Sequence, residues 1–397
     1  NTLCFIIIYP SKPMSIRYIQ QKDDFHSAVK HLLSTDQIAV DLEFDRNRYR
    51  YGFNLCLVQI YDGDDCLLID PLSEKIQIEK LFPVMENPEI EKVAFAFQED
   101  HRLLHHIGCR PKNIFDLRIT SQLLNYPPAS LTNIVMDTLD VDMGKSSQNS
   151  NWFKRPLKEH QIKYAAKDVL YLFDLKKKFK SEAKQKEILQ WIDEENQNWD
   201  HVQYDDSDIN NFIKEKDKRD LNEVEWNIFL RLMEFREKIA SQSDRPSYQI
   251  FSKDLIYQIV ENPERLKTWT SERGVFNRLK NRGIQKKLEK LVQKSIQEAE
   301  TMGLSRSKSA KKSPTAEEMK EINQKKQLIQ QAKSEFFSPI KDKITEDYGD
   351  EVSTFLFSNR IIAGLVTGSN GSLEIYKRNL LINYAEKLNL DVNLYLD

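Results

Sequence analysis

Four carboxylates and one phenol are the residues of this chain best equipped for chemistry. Asp41 and Glu43 stand two apart in IAVDLEFD, Asp100 lies in VAFAFQEDHRLL, and Tyr164 and Asp168 stand four apart in IKYAAKDVLYL. Positions two apart on a strand share a face, so Asp41 and Glu43 would repel unless a cation sat between them. Positions four apart on a helix stack on one side, which joins Tyr164 to Asp168. Mg2+ and Mn2+ favour oxygen ligands. Two such divalent metal ions can activate an attacking water and stabilise a leaving 3′ oxygen in an in-line displacement at phosphorus. Tyr164 would then orient the water or help deprotonate it. Taken singly, each residue has a plainer reading. Asp41 and Glu43, with Asp45, end a strand in solvent; Asp100 favours a helix dipole from the first turn; Tyr164 is half buried and Asp168 solvated. The combination in this order points instead to a phosphodiester-cleaving centre.

The elements that must position these side chains read as an α/β unit over residues 14–200. Strands are predicted at 37–44, 54–62 and 65–70, the last two joined by the Asp62-Gly63-Asp64 turn. A helix at 73–86, a strand at 92–97, a helix at 99–107, a short strand or turn at NIFDL, and helices near 117–124 and 130–139 follow. A long helix over 158–183 closes the unit, with Pro156 as its start signal. Antiparallel strands followed by strands alternating with helices imply a mixed β-sheet flanked by helices. Asp100 would then lie beyond the carboxyl end of a strand, where ligands gather in open α/β sheets.

The rest of the chain is helical in pattern. Residues 192–210 are acidic and polar, a helix end and linker, and from 220 Leu221, Val224, Ile228, Leu232, Phe235 and Ile239 recur at helical spacing. A second domain is placed at 215–298, a basic flexible linker at 305–315, and a C-terminal helical module at 316–397 with a glycine-rich turn at 367–372. The chain has 397 residues and a net charge of −2, which hides a basic stretch: Arg265 to Lys294 holds ten Lys/Arg against two acids. Cys4, Cys56, Cys66 and Cys109 are scattered without a CxxC pair, as expected of a reduced cytoplasmic protein. No apolar run reaches the length of a membrane span. LCFIIIY near the start lacks a basic flank and a cleavage site, so residues 1–13 are read as an upstream extension, disordered or loosely docked.

The order D-x-E, then D, then Y-x-x-x-D resembles the DEDD superfamily of 3′→5′ exonucleases in its tyrosine-bearing branch; the position where the other branch has histidine is Lys163. VDLEFDR, NLCLVQI, PKNIFDL and QNSNWFKRPLKEHQIKYAAKDVLYL together resemble the ribonuclease D family, and LMEFREKIASQSDRPSYQI resembles its HRDC domain. The resemblance implies an RNase H-like fold, an all-α HRDC module, and two-metal release of 5′-mononucleotides from RNA 3′ ends. It makes Asp41, Glu43, Asp100 and Asp168 the metal ligands and Tyr164 the water-orienting residue. Its implied partners are RNA 3′ ends, those of tRNA precursors above all, and a monomer is expected. A DNA exonuclease of the Werner type is the alternative. Leu42, Leu117 and Asn151 depart from the usual pattern without removing a ligand.

Four further features bear on the reading. Trp152 and Arg155 suit stacking and phosphate contact with a single-stranded end, and packing serves Trp152 equally well. His101 and His105 stand four apart, but Arg102 follows His101 where a zincin has Glu and no further Cys or His completes a zinc set. Asp116 reads as a helix cap. The 265–294 stretch suits sequence-blind contact with an RNA backbone, and 316–397 reads as a possible second HRDC-like unit.

Overall fold

The computed structural model describes residues 3–8, 13–204, 213–307, 316–369 and 373–396. Seven strands form one mixed sheet: β1 (Leu3–Ile8), β2 (Pro13–Ile19), β3 (Gln37–Arg46), β4 (Phe53–Tyr61), β5 (Asp65–Ile69), β6 (Glu91–Ala94) and β7 (Ile114–Asp116). Their order is β1-β2-β5-β4-β3-β6-β7. β2 runs parallel to β5 and antiparallel to β1, and β5 pairs antiparallel with β4. β6 runs parallel to both β3 and β7, with Ala39 opposite Val93 and Ala94 opposite Asp116. β4 and β5 are buried almost throughout, as their near-continuous apolar runs require of central strands covered on both faces.

Helices α1 (Lys22–Leu32), α2 (Phe82–Glu86), α3 (Gln98–His106), α4 (Leu117–Leu123), α5 (Leu131–Leu139), α6 (Glu159–Leu170), α7 (Leu172–Gln185) and α8 (Leu189–Gln197) accompany the sheet. The expected mixed sheet flanked by helices is therefore present. Several boundaries differ for local reasons. The helix predicted over 73–86 is reduced to a 3-10 turn at Ile78–Leu81 and α2, with Pro83 in the first turn of α2. β6 stops at Ala94 because Ala96 takes a left-handed φ of 56°. The long 158–183 helix breaks at Tyr171 into α6 and α7. β1 pairs with β2 along Leu3–Ile8, where a loose extension was expected.

A second unit groups Phe44–Asn54 with the described part of 205–315. It contains α9 (Glu215–Lys218), α10 (Glu223–Gln242), α11 (Ser247–Ile250), α12 (Lys253–Glu261) and α13 (Arg282–Thr301). The predicted apolar stripe of α10 supplies its core: Val224, Ile228 and Leu232 pack with Ile256, Trp269 and Leu288. Asn222 caps α10 by accepting from Glu225 N at 2.9 Å, and Glu225 returns a bond to Asn222 N at 2.8 Å.

The C-terminal helices α14 (Ala316–Ala332), α15 (Ser338–Tyr348), α16 (Asp350–Leu356), α17 (Asn359–Thr367) and α18 (Ile375–Lys387) group with the sheet. Phe337, Ile340, Leu356 and Leu381 share one core with Leu123, Ile188 and Ile192. Trp191 on α8 stacks on Tyr376 at 5.3 Å, and buried Lys377 pairs with buried Glu195 at 2.6 Å. Residues 308–315 and 370–372, within the predicted basic linker and glycine-rich turn, lie outside the described residues, as do 205–212 of the acidic linker. Among the described residues no helix is long and apolar enough to cross a membrane.

Candidate active site

Asp41 and Glu43 sit in the middle of β3, and Asp100 lies in the first turn of α3, beyond the end of β6. Because β3 and β6 run parallel, both sets of acids reach the same end of the sheet. Asp168 comes from the last turn of α6. Carboxylate oxygens of Asp41, Glu43 and Asp168 lie within 4.8 Å of one another. Asp100 stands outside that closest trio but within electrostatic reach, since its charge acts on Glu43 and that of Asp41 acts on it.

The acids are held in a place hostile to their ionised forms. Burial lifts the pKa of Asp41 to about 7, although part of the residue remains exposed. Glu43 is pushed well above the usual carboxylate range by burial and then by Asp41, Asp168 and Asp100. Burial and the Asp41 charge raise Asp100 and Asp168 in the same way. Asp100 Oδ1 is buried with no hydrogen-bond partner. Crowded buried acids of this kind fit a divalent cation, which would neutralise the repulsion and complete the orphaned oxygen. An all-carboxylate donor set suits Mg2+ or Mn2+ better than zinc.

Tyr164, one turn before Asp168, hydrogen-bonds to it. Burial and the Asp168 charge raise the phenol above its ordinary pKa, so it stays protonated at neutral pH. Ser146, which the sequence reading did not single out, hydrogen-bonds to the Tyr164 side chain. Its loop is fastened to α6 by Lys167 Nζ, which donates to Met143 O at 2.8 Å. Gln59, also overlooked, is fully buried on β4 with both carboxamide atoms unpartnered. A Gln inside the apolar run NLCLVQI was the signal that could have flagged it.

Trp152 and Arg155 are built into the wall of the domain. Trp152 is 2% exposed, donates through Nε1 to Gln148 O at 3.4 Å and lies 6.2 Å from the Tyr164 ring. Arg155 grips buried Asp70 with two bonds of 2.7 Å and also donates to Cys56 O and Trp152 O. Burial alone would raise Asp70, but bonds from Arg155 and Tyr18 hold its pKa below the usual range. The guanidinium expected at a phosphate is thus engaged inside the protein. His101 and His105 do not form a metal cluster among the described residues. His101 is buried 3.0 Å from Tyr204 OH, and burial followed by the charges of His105, Lys112 and Arg110 depresses its pKa to about 3.

Residues 16–184, which hold β3 to β7 and all five of these side chains, match the 3′-5′ exonuclease family. Ribonuclease D of Bartonella henselae is 28% identical over 252 residues, covering 63% of this chain and 62% of that protein. Matches to this and two further ribonuclease D relatives span 46 to 62% of those proteins' lengths. Among solved structures, Escherichia coli RNase D superposes with a TM-score of 0.60 at 21% identity, covering 93% of this chain and 98% of that one. The catalytic core of RRP6 from Trypanosoma brucei gives 0.61 at 22% identity, covering 74% and 82%. Both share their fold with this chain, an RNase H-like mixed sheet flanked by helices.

Proposed function

We propose that this protein is a metal-dependent 3′→5′ exoribonuclease that releases 5′-mononucleotides from RNA 3′ ends, with the ends of tRNA precursors as its preferred class of substrate. The observation that carries the reading is the meeting of Asp41, Glu43 and Asp168 within 4.8 Å in a domain of the 3′-5′ exonuclease family. The kinship with ribonuclease D directs it toward RNA; E. coli RNase D is described as an exoribonuclease involved in structured RNA processing.

In this mechanism Asp41, Glu43, Asp100 and Asp168 hold two divalent cations, Mg2+ or Mn2+. When bound, the pair supplies Lewis acidity that acidifies the attacking water and offsets charge on the leaving 3′ oxygen. Tyr164, kept protonated and beside Asp168, orients the water by hydrogen bonding rather than acting as a strong base. Trp152 and Arg155 shape the loop that leads into α6 instead of gripping the substrate. Exposed Arg273, Arg278, Arg282, Lys286 and Lys290 of the 215–298 module, read as an HRDC domain, provide salt-sensitive contact with the RNA backbone.

The test is digestion of a 3′-tailed tRNA-like transcript and a matched DNA oligonucleotide, with and without Mg2+, by the wild type and Asp168→Asn. The reading expects metal-dependent shortening of the RNA by the wild type and none by Asp168→Asn. Preference for the DNA would favour the Werner-type alternative, and equal activity of the variant would remove Asp168 from the centre.

A further inference from the structure

Asp100 Oδ1 has no hydrogen-bond partner, and backbone groups alone, those of Leu42 and of Asp100 itself, bond to its carboxyl, so its placement depends on the backbone turn that launches α3 together with β3. That turn is unusual. Ala96 adopts a left-handed φ of 56°, a conformation unfavourable for an L-residue, and Phe97, at the helix start, has no capping side chain. Both backbone N–H groups donate to one carboxylate: Ala96 N to Asp116 Oδ1 at 2.8 Å and Phe97 N to Asp116 Oδ2 at 3.0 Å. Asp116 also accepts from Arg118 N at 2.8 Å, which caps α4. A single acid therefore ties the β6–α3 turn to the β7–α4 turn.

Asp116 is fixed in its turn by α8. Its own N–H donates to Asn196 Oδ1 at 2.7 Å, and Asn196 Nδ2 donates to Ile192 O at 2.9 Å, which sets the carboxamide's orientation. All of these groups are buried. The neighbouring residue, Glu195, receives Tyr376 OH at 2.5 Å and Lys377 at 2.6 Å, and Glu194 receives Tyr376 N at 2.9 Å. The C-terminal helix α18 thus holds α8 through the two residues that precede Asn196.

We infer that Asn196 and Asp116 are positioning residues for Asp100, and that the C-terminal helices, through α8, form part of the scaffold that sets the metal-binding geometry. Neither residue touches the reacting atoms. They act through the backbone of Ala96 and Phe97, three or four residues from the acid they place. This inference rests on the exonuclease reading of the site.

The experiment uses the full chain and compares the wild type with Asn196→Ala, Asn196→Asp and Asp116→Asn. Mn2+ affinity is measured by electron paramagnetic resonance without RNA, hydrolysis under single-turnover conditions, RNA affinity without metal, and folding by circular dichroism. Loss of an outer-shell partner usually costs about 10- to 100-fold in metal affinity or activity. Asn196→Ala is expected to weaken Mn2+ binding and slow hydrolysis about ten-fold, with metal-free RNA affinity within about two-fold of the wild type. Asn196→Asp keeps the acceptor oxygen for Asp116 N but loses the donor to Ile192 O, and should recover only part of the loss. Asp116→Asn preserves volume but cannot accept from all three N–H groups, and gives an independent reading with the larger defect. Wild-type Mn2+ affinity in a folded Asn196→Ala or Asp116→Asn protein would overturn the inference, as would an Asn196→Asp protein no better than Asn196→Ala. A wild type that neither binds Mn2+ nor shortens RNA would overturn the exonuclease reading itself.

Discussion

Asp41→Asn should make the metal-free protein more stable while destroying its activity. A carboxyl whose pKa climbs from an ordinary 3.8 to about 7 on folding costs about 4 kcal/mol once it is ionised in the native state. The sign follows from proton counting. Between about pH 4 and 7 the folded chain holds the Asp41 proton more tightly than the unfolded chain does, so this residue's contribution to stability falls as pH rises, and the loss is complete above pH 7. The Asn carboxamide carries no charge, but burying it costs about 1–2 kcal/mol if imperfectly hydrogen-bonded. A net gain of about 2–3 kcal/mol remains at pH 8. At about 2–4 °C per kcal/mol for a domain of this size, melting should rise by about 5–10 °C. At pH 5 the native acid keeps its proton while the unfolded one is ionised, a loss of about 1.6 kcal/mol that the cost of burying Asn offsets, so the two proteins should melt together. The assay is thermal unfolding in the presence of a chelator at pH 5 and pH 8, repeated with Mn2+. Added Mn2+ should raise the melting temperature of the wild type at pH 8 far more than that of the variant. A variant that melts below the wild type at pH 8, or by the same margin at both pH values, would refute the electrostatic argument.

Three further outcomes are expected. Tyr164→Phe should slow single-turnover hydrolysis about 100-fold with Mn2+ affinity within about two-fold; an unchanged rate would remove the phenol from the chemistry. Arg155→Ala strands buried Asp70 and should cost about 3 kcal/mol of stability, measured by denaturant unfolding, without weakening metal-free RNA binding; the reverse pattern would make Arg155 a substrate contact. Replacing Arg282 and Lys286 by Glu should weaken RNA binding and flatten its dependence on salt, as read by filter binding at several ionic strengths; an unchanged salt slope would free this face of an RNA role.

The parts of the fold legible in the sequence were those governed by local pattern. Strand periodicity marked β3, β4 and β5, the helical stripe marked α10, and the D-x-E and Y-x-x-x-D spacings marked three acids, Asp41, Glu43 and Asp168, whose oxygens come within 4.8 Å of one another. What pattern did not disclose depends on long-range partners. Arg155 looked free until Asp70, 85 residues away, proved to hold it. Asp116 was read as a cap and is one, but its grip on Ala96 and Phe97 arises only when β6 and β7 lie side by side. Ser146 sits in a polar loop with nothing in its composition to distinguish it, and acquires meaning only from its contact with Tyr164. The grouping of 316–397 with the sheet rests on Trp191, Glu195, Tyr376 and Lys377, whose pairing no spacing rule reveals.

The most direct measurement is anomalous diffraction from a crystal of the full chain soaked in Mn2+. Two manganese peaks among the carboxylates of Asp41, Glu43, Asp100 and Asp168 are predicted, with loss of at least one in Asp168→Asn. A wild-type crystal with no manganese between the β3 acids and Asp168 would contradict the account.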